Sequence, residues 1–137
     1  MWRGLLIAML LAGCAQLPPS PQDIQAKTFE RVPEKAVIYI VRTPMDSQEG
    51  GTIWLGNSAQ ITTYGGTYYR WEAPPGMHRL AGYAGQSGLV DMNAQAGQIY
   101  FVRHTVRGTV RSGVQMTDLQ RISEQEGRVL VRQARHL

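Results

Sequence analysis

The chain has 137 residues, with 14 basic and 10 acidic side chains and a single cysteine. One cysteine excludes an internal disulfide and a multi-thiolate metal site. The basic residues are spread along the chain in ones and twos. A nucleic-acid-binding protein gathers such residues on one face, so we expect no nucleic-acid partner.

The chain begins like a bacterial export signal. Arg3 precedes an apolar run over residues 4–11, and two small residues come directly before Cys14. This is the three-part layout of a secretory signal, and Leu11-Ala12-Gly13-Cys14 looks like a lipobox. The apolar run of about eight residues argues against a transmembrane anchor, which needs about 20. We therefore predict that residues 1–13 are a cleaved signal peptide and that Cys14 is lipidated.

The lipobox resemblance implies a diacylglycerol on the Cys14 thiol and a further acyl chain on its freed amine. One acyl chain binds a membrane marginally, and two or more hold it stably. The next residue is Ala15 and not aspartate, which by the sorting rule of enteric-type bacteria favours the outer membrane, facing the periplasm. The alternative is an ordinary export signal that leaves Cys14 as a buried thiol.

Residues 14–34 are predicted to be a lipidated N-terminus and a flexible tether, because prolines stand there among Gln, Ser and Asp. Twenty extended residues at about 3.1 Å each would reach roughly 60 Å. Ile24 and Phe29 are the large apolar residues of this segment after Leu17. Their docking onto the domain would shorten the reach.

Residues 35–137 are predicted to form a small antiparallel β-sandwich of about seven strands with a C-terminal α-helix. Ala36–Val41 is apolar on both faces, which indicates a central strand. Gly56-Asn57 suits a tight hairpin between two strands. Thr67–Ala73 alternates, with Tyr69, Trp71 and Ala73 against Tyr68, Arg70 and Glu72. Further short segments, separated by turn residues, continue to Ile122, and this spacing is typical of a sandwich.

The tail has helical character. An S-x-x-E pattern beginning at Ser123 is typical of a capping box and predicts a helix over residues 123–136. Gly127 costs such a helix about 1 kcal/mol relative to alanine, so tertiary support is expected. Arg128, Arg132 and Arg135 share one side. That side is either a surface for anionic lipid or an acidic partner, or the solvated face of a packed helix.

Four segments, 36–42, 66–69, 74–80 and 96–103, resemble a known family. Their order is similar to that in the uncharacterised bacterial lipoprotein domain called domain of unknown function 2846, over about residues 34–134. The most specific parts are the P-P-G-x-H-x-L turn and the A-G-x-x-Y-F-V-R strand. The resemblance implies a surface-anchored all-β domain, and it supplies no activity and no catalytic residue.

The sequence offers little reactive chemistry. Its three histidines are dispersed, without the spacing of a metal-binding helix. His78 is expected to face inward beside Leu80, and Asp91 and Ser87 would complete a hydrolytic set if their strands met it. Ser87 lacks the spacing of a nucleophile elbow. We therefore expect no catalytic residue, metal or cofactor.

Aromatic and basic side chains are the more suggestive set. Tyr68, Arg70, Arg79 and Tyr83 come from neighbouring predicted strands and form a possible recognition patch for a protein or glycan. The alternative is that they pair across strands and only stabilise the sheet.

The function predicted from these features is that of a membrane-anchored bacterial lipoprotein. Its non-enzymatic sandwich would serve binding or assembly in the cell envelope, with a protein partner there. The alternatives are a structural or stress-related envelope lipoprotein, an accessory lipoprotein of a secretion machine, and an envelope hydrolase that uses His78 and Asp91.

Overall fold

The structure is a computed structural model, and it describes residues 17–83, 85–109 and 111–137. The predicted signal peptide, the lipobox and Cys14 lie outside the described residues. The elements are α1 Pro21–Ala26, β1 Ala36–Val41, β2 Gly51–Leu55, β3 Ala59–Thr63, β4 Thr67–Ala73, β5 Gly76–Gly82, a 3₁₀ turn Gly85–Gly88, β6 Leu89–Ala94, β7 Ile99–Thr109, β8 Val114–Ile122, α2 Glu124–Gln133 and β9 Arg135–His136.

The strands form two sheets packed face to face. One has five strands in the order β8-β7-β1-β4-β9, and the other has four in the order β3-β2-β5-β6. The predicted all-β sandwich with a C-terminal helix is confirmed. It is not wholly antiparallel, because β1 pairs with β7 and β4 pairs with β9 in parallel.

The central strand predicted at Ala36–Val41 is also confirmed. All six residues of β1 are fully buried. Ile38 and Ile40 point between the two sheets, and Val37, Tyr39 and Val41 pack in a second apolar cluster on the other face. A strand with both faces buried has apolar residues at nearly every position. Here two helices cover the face of β1 that points away from the other sheet.

Residues 21–34 belong to the folded domain and not to a tether. Ala26 and Phe29 are buried, and the Phe29 ring lies 5.5 Å from that of Tyr39 and 6.0 Å from that of Phe101, between ring centroids. The expected docking of Phe29 is therefore observed, whereas Ile24 stays 59% exposed. The physical reason is that the outer face of the five-stranded sheet is apolar, so packing the N-terminal segment on it removes apolar surface from water.

Asp23 fastens this segment to the C-terminus. Its carboxylate accepts hydrogen bonds from the Tyr68 hydroxyl at 2.8 Å and the His136 backbone N–H at 3.2 Å, and it lies 3.0 Å from Lys27 Nζ. Burial alone would raise the pKa of Asp23, but the hydrogen bonds from Tyr68 and Lys27 outweigh it and lower the pKa. The first and last elements of the described chain are thus joined.

The C-terminal helix begins as predicted and ends early. The Ser123 hydroxyl accepts a hydrogen bond from the Glu126 N–H at 3.2 Å, while the Glu126 carboxylate bonds to Arg103 and not back to Ser123. The helix stops at Gln133, and the next residues form β9. The prediction of helix to residue 136 was wrong because the free edge of β4 offers backbone partners, such as the Gly66 carbonyl for the Arg135 N–H.

The basic residues of the tail do not form one free face. The guanidinium groups of Arg128 and Arg132 lie 4.9 Å and 5.2 Å from the centre of the Phe29 ring, in cation–π contact. Arg135 lies in β9, outside the helix. The arrangement agrees with the interpretation of a helix packed on the sheet.

Candidate functional site

The two ends of the sandwich are formed by different elements, and we call them the entry end and the far end. At the entry end, the loop after β1 meets the turn before β4 and the start of β9, where the Gly66 N–H bonds to the Thr43 carbonyl and the Arg135 N–H to the Gly66 carbonyl. The first helix also begins there, since Asp23 contacts Tyr68 and His136. β4 runs from this end to the other, and its seven residues span about 20 Å.

The far end carries a cleft between the β2–β3 turn and the β4–β5 turn. Its volume is about 570 Å³, within the range of about 300 to 1,000 Å³ that is usual for small-ligand sites. It is lined by Gly56, Asn57, Ser58, Pro74, Met77, His78, Arg79 and Asp91. The cleft therefore brings together three side chains singled out in the sequence, His78, Arg79 and Asp91.

His78 lies on the inner side of the cleft. Its position on β5 matches that of Leu80, so the inward direction predicted for it is correct, although the ring is only half-buried. The ring packs edge-on against Trp71, and Nε2 lies 2.5 Å from the Pro74 carbonyl oxygen. A carbonyl oxygen only accepts hydrogen bonds, so Nε2 carries the proton, and Nδ1 of the neutral ring keeps a lone pair for a donor.

The β2–β3 turn leaves room beside that nitrogen. A Cβ atom at Gly56 would lie 3.8 Å from His78 Nδ1, and no hydrogen bond to Nδ1 occurs within the described residues. Gly56 has φ of +56°, and it opens a three-residue turn in place of the predicted two-residue hairpin. Asn57 and Ser58 follow it at the rim, where polar side chains can orient a ligand.

Arg79 and Asp91 form an ion pair on the outer side. Arg79 Nε lies 2.7 Å from Asp91 Oδ1, and Nη2 lies 2.9 Å from Oδ2. The hydrogen bond from Arg79 lowers the pKa of Asp91. Pairing of β5 with β6 sets Asp91 opposite Arg79 and Met92 opposite His78. Asp91 is thus on the opposite face from His78.

The hydrolytic set drawn from the sequence is not assembled. Asp91 is engaged by Arg79, and the Ser87 hydroxyl lies 3.4 Å from the Thr117 carbonyl oxygen beside β8, away from the cleft lining. The Asn57 amide, the acceptor nitrogen of His78 and the Arg79–Asp91 ion pair line this cleft. Such a set suits recognition of a ligand by hydrogen bonds.

The predicted recognition patch of Tyr68, Arg70, Arg79 and Tyr83 does not exist as one surface. Tyr68 is fully buried under the first helix, and Arg70 lies on the five-stranded sheet and bonds to Glu72. Arg79 is on the four-stranded sheet, and Tyr83 directly follows its strand. The prediction was wrong because Tyr68 points to the face that the helices cover, and this cover could not be read from β4.

The sequence interpretation missed Trp54 as the partner of Tyr83. Their rings meet edge-on with centroids 5.2 Å apart, and Tyr83 is 54% exposed. Trp54 is directly opposite Gln60 on one neighbouring strand and Ala81 on the other. This pair lies on the outer face of the four-stranded sheet, which neither of the two described helices covers.

A polar cluster at the entry end was also missed. Arg42 is fully buried, with Nε 2.9 Å from Asp46 Oδ2, and its Nη atoms donate to the backbone carbonyls of Ser47, Glu49 and Thr63. These bonds fix the loop over residues 43–50. An arginine directly after an apolar strand and four residues before an aspartate was the available signal.

Among residues 17–83, 85–109 and 111–137, no group of three His, Cys, Asp or Glu side chains could hold a metal ion. In the same part of the chain, no helix has the length and hydropathy of a membrane-spanning segment. Comparisons with protein-family models, with curated proteins and with solved structures find no match.

Proposed function

We propose that this chain is a lipoprotein of a bacterial envelope, anchored by lipid on Cys14, and that it presents the far-end cleft to an envelope partner. The observation that carries the proposal is that the N-terminal segment and the cleft lie at opposite ends of the domain. The described segment that follows the predicted lipobox joins the entry end, where Asp23 contacts Tyr68 and His136, and the cleft lies at the opposite end.

The docked N-terminal segment sets the distance between domain and anchor. Cys14 lies seven residues before Pro21, where the first helix begins. A chain extends at most about 3.6 Å per residue, so this stretch spans no more than about 25 Å. The domain is then held close to the membrane, and not at the roughly 60 Å expected for a tether of twenty residues.

The cleft supports a binding role over a catalytic one. His78 offers an acceptor nitrogen, Asn57 offers an amide at the rim, and Arg79 and Asp91 neutralise each other. Such a set recognises a polar partner by hydrogen bonds. The resemblance to domain of unknown function 2846, the outer-membrane location and the identity of the partner remain predictions.

Photo-crosslinking in the native cells tests this function. A photoreactive residue at Asn57 should yield a protein adduct, whereas one at Val129, which is 48% exposed on the second helix, should not. The adduct should disappear in Cys14→Ala, because the unanchored chain no longer meets the partner at the membrane.

One further variant tests the site itself. His78→Phe keeps a ring against Trp71 and removes the acceptor nitrogen, so the adduct from position 57 should decrease several-fold. Mass spectrometry of the purified protein reports the acylation of Cys14. An unacylated Cys14 would refute the anchor, and an acylated protein without an adduct at position 57 would refute the presentation of the cleft.

A further inference from the structure

We propose that the entry end is a membrane-contacting surface, which seats Met45 and Tyr64 in the headgroup region of an anionic bilayer. This inference depends on the proposed function and deepens it, because it assigns the orientation of the domain on the membrane. The surface comprises Met45, Tyr64 and Arg135, and Leu17 lies on the chain that leads into this end.

The apolar side chains of this surface are unusually exposed. Met45 is 95% exposed and Leu17 is 90% exposed, the highest values among the large apolar residues that the structure describes. Tyr64 is 45% exposed and lies beside the same loop, since a Cβ atom at Gly50 would be 3.3 Å from its ring. Apolar and amphipathic side chains in such a position suit the interface between water and lipid.

Met45 is held outward by a fixed loop. The buried Arg42 bonds to Asp46 and to loop carbonyls on both sides, and the Gly65 N–H donates to the Ser47 carbonyl at 3.1 Å. The Asp46 carboxylate also accepts from the Val106 N–H at 3.2 Å. A loop bonded in this way keeps the methionine exposed to water, although a side chain of this size is stabilised when it leaves water for an apolar environment.

The charges at this end suit an anionic surface. Arg135 is exposed beside Gly66, and Arg107 and Arg111 are exposed on the β7–β8 hairpin, which extends past the Asp46 contact. Asp46 is buried against Arg42, so Glu49 is the exposed carboxylate of the described loop. Basic residues near an anionic membrane are attracted to its negative surface potential.

The short stretch of chain between Cys14 and this end favours lipid over a protein as the partner of this surface. Leu17 lies three residues after Cys14, so at most about 11 Å of chain separates it from the residue that carries the lipid. The first helix then enters beside Tyr68 and His136, at the same end as the loop that carries Met45, since Gly66 bonds to both Arg135 and Thr43. A bilayer at the anchor is therefore within reach of this surface, whereas the cleft faces away.

Fluorescence quenching by lipid tests this orientation. The full-length lipoprotein is purified in detergent and reconstituted into vesicles that contain anionic lipid and a headgroup-region quencher. An environment-sensitive label is attached to a cysteine introduced by Met45→Cys or, as the matched control, by Met77→Cys. Met77 is also an exposed methionine, 70% exposed, and it lines the far-end cleft. The acylated Cys14 has no free thiol and takes no label.

We expect the label at position 45 to be quenched at least several-fold more than the label at position 77 and to emit at shorter wavelength. Equal quenching at the two positions in an acylated protein would overturn the orientation and leave the anchor intact. An unacylated Cys14 would overturn the anchor and this inference together, and mass spectrometry of the same sample separates the two failures.

Discussion

At the level of single residues, the least expected feature is a histidine sealed between the two sheets. His104 is fully buried, with Nδ1 2.9 Å from the Thr63 hydroxyl oxygen, and its Nε2 has no hydrogen-bond partner among the described residues. Gly51 packs against the ring, because a Cβ atom there would lie 2.8 Å from Cε1. Burial, and then the positive charge of Arg42, lowers the pKa of His104 to about 4, although Asp46 acts in the opposite direction.

This pKa predicts a loss of stability on mild acidification. Below its ordinary pKa of 6.5, His104 takes up a proton in the unfolded chain, whereas the folded protein takes it up only near pH 4. The unfolded state therefore binds more protons between pH 7 and pH 5, and the free energy of unfolding decreases as the pH falls. We expect a decrease of about 2 kcal/mol from this residue over that interval, measured by urea unfolding.

Two variants separate the titration of His104 from its packing. His104→Leu should remove this part of the pH dependence, whatever its stability at pH 7. Val131→Ala removes a buried side chain on the other face of the five-stranded sheet, away from His104, and should lower stability while keeping the pH dependence. An unchanged pH dependence in His104→Leu would show that the ring does not titrate as the structure indicates.

At the level of elements, Gly127 explains how the C-terminal helix reaches the sheet. Glycine is a poor helix former, and the sequence alone indicated only a weak helix at this point. In the structure Gly127 is buried, and a Cβ atom there would overlap the Phe101 ring of β7. The missing side chain lets the helix backbone lie directly on the sheet, which gives the helix its tertiary support.

We therefore expect Gly127→Ala to destabilise the protein, against the usual helix preference. Alanine gains about 1 kcal/mol in an open helix, but overpacking against Phe101 costs typically 1 to 3 kcal/mol and prevents that gain. Gln125→Ala is the control, because Gln125 is exposed on the same helix. Urea unfolding of both variants checks this, and an increase in stability for Gly127→Ala would mean that the helix does not approach the sheet so closely.

The strands were predictable because their signals are local. The apolar run of β1 and the alternation of β4 follow from side-chain direction in neighbouring residues, and the Ser123 cap follows from four residues of sequence. The first helix and β9 were not predictable, since they have six and two residues and are held by remote partners. Short elements carry too little periodicity to reveal themselves.

The cleft was predictable only in part, for the same reason. Period two placed His78 on the inner face of its strand, as observed. The pairing of Arg79 with Asp91 depends on the register between β5 and β6, and the exposure of Tyr68 depends on a helix some 45 residues earlier in the chain. Sequence pattern gives the direction of a side chain, whereas its neighbours come from the tertiary fold.

At the level of the whole molecule, the helices complete the sandwich as a third layer. The five-stranded sheet is covered on both faces, with Tyr39, Tyr68 and Phe101 enclosed beneath the N-terminal segment and the second helix. Within the part of the chain that the structure describes, the four-stranded sheet is covered on one face only and carries Trp54 on the other. The N-terminal segment is therefore part of the folding unit, and the domain begins near Pro21 and not at residue 35.

This boundary is testable by the stability of shortened chains. A chain beginning at residue 17 should unfold in urea like the mature protein, because it keeps every contact of the first helix and of Phe29. A chain beginning at residue 35 uncovers Tyr39 and Phe101, so it should lose most of a domain stability of about 5 to 15 kcal/mol, bind apolar dyes and associate.

If that chain fails to fold, two point variants of the mature protein test the same boundary. Phe29→Ala in the mature protein should cost about 3 to 5 kcal/mol, whereas Ile24→Ala, at an exposed position, should stay within about 0.5 kcal/mol of the wild type. Equal stability of the two shortened chains, with a neutral Phe29→Ala, would return residues 21–34 to the tether and restore the longer reach from the membrane.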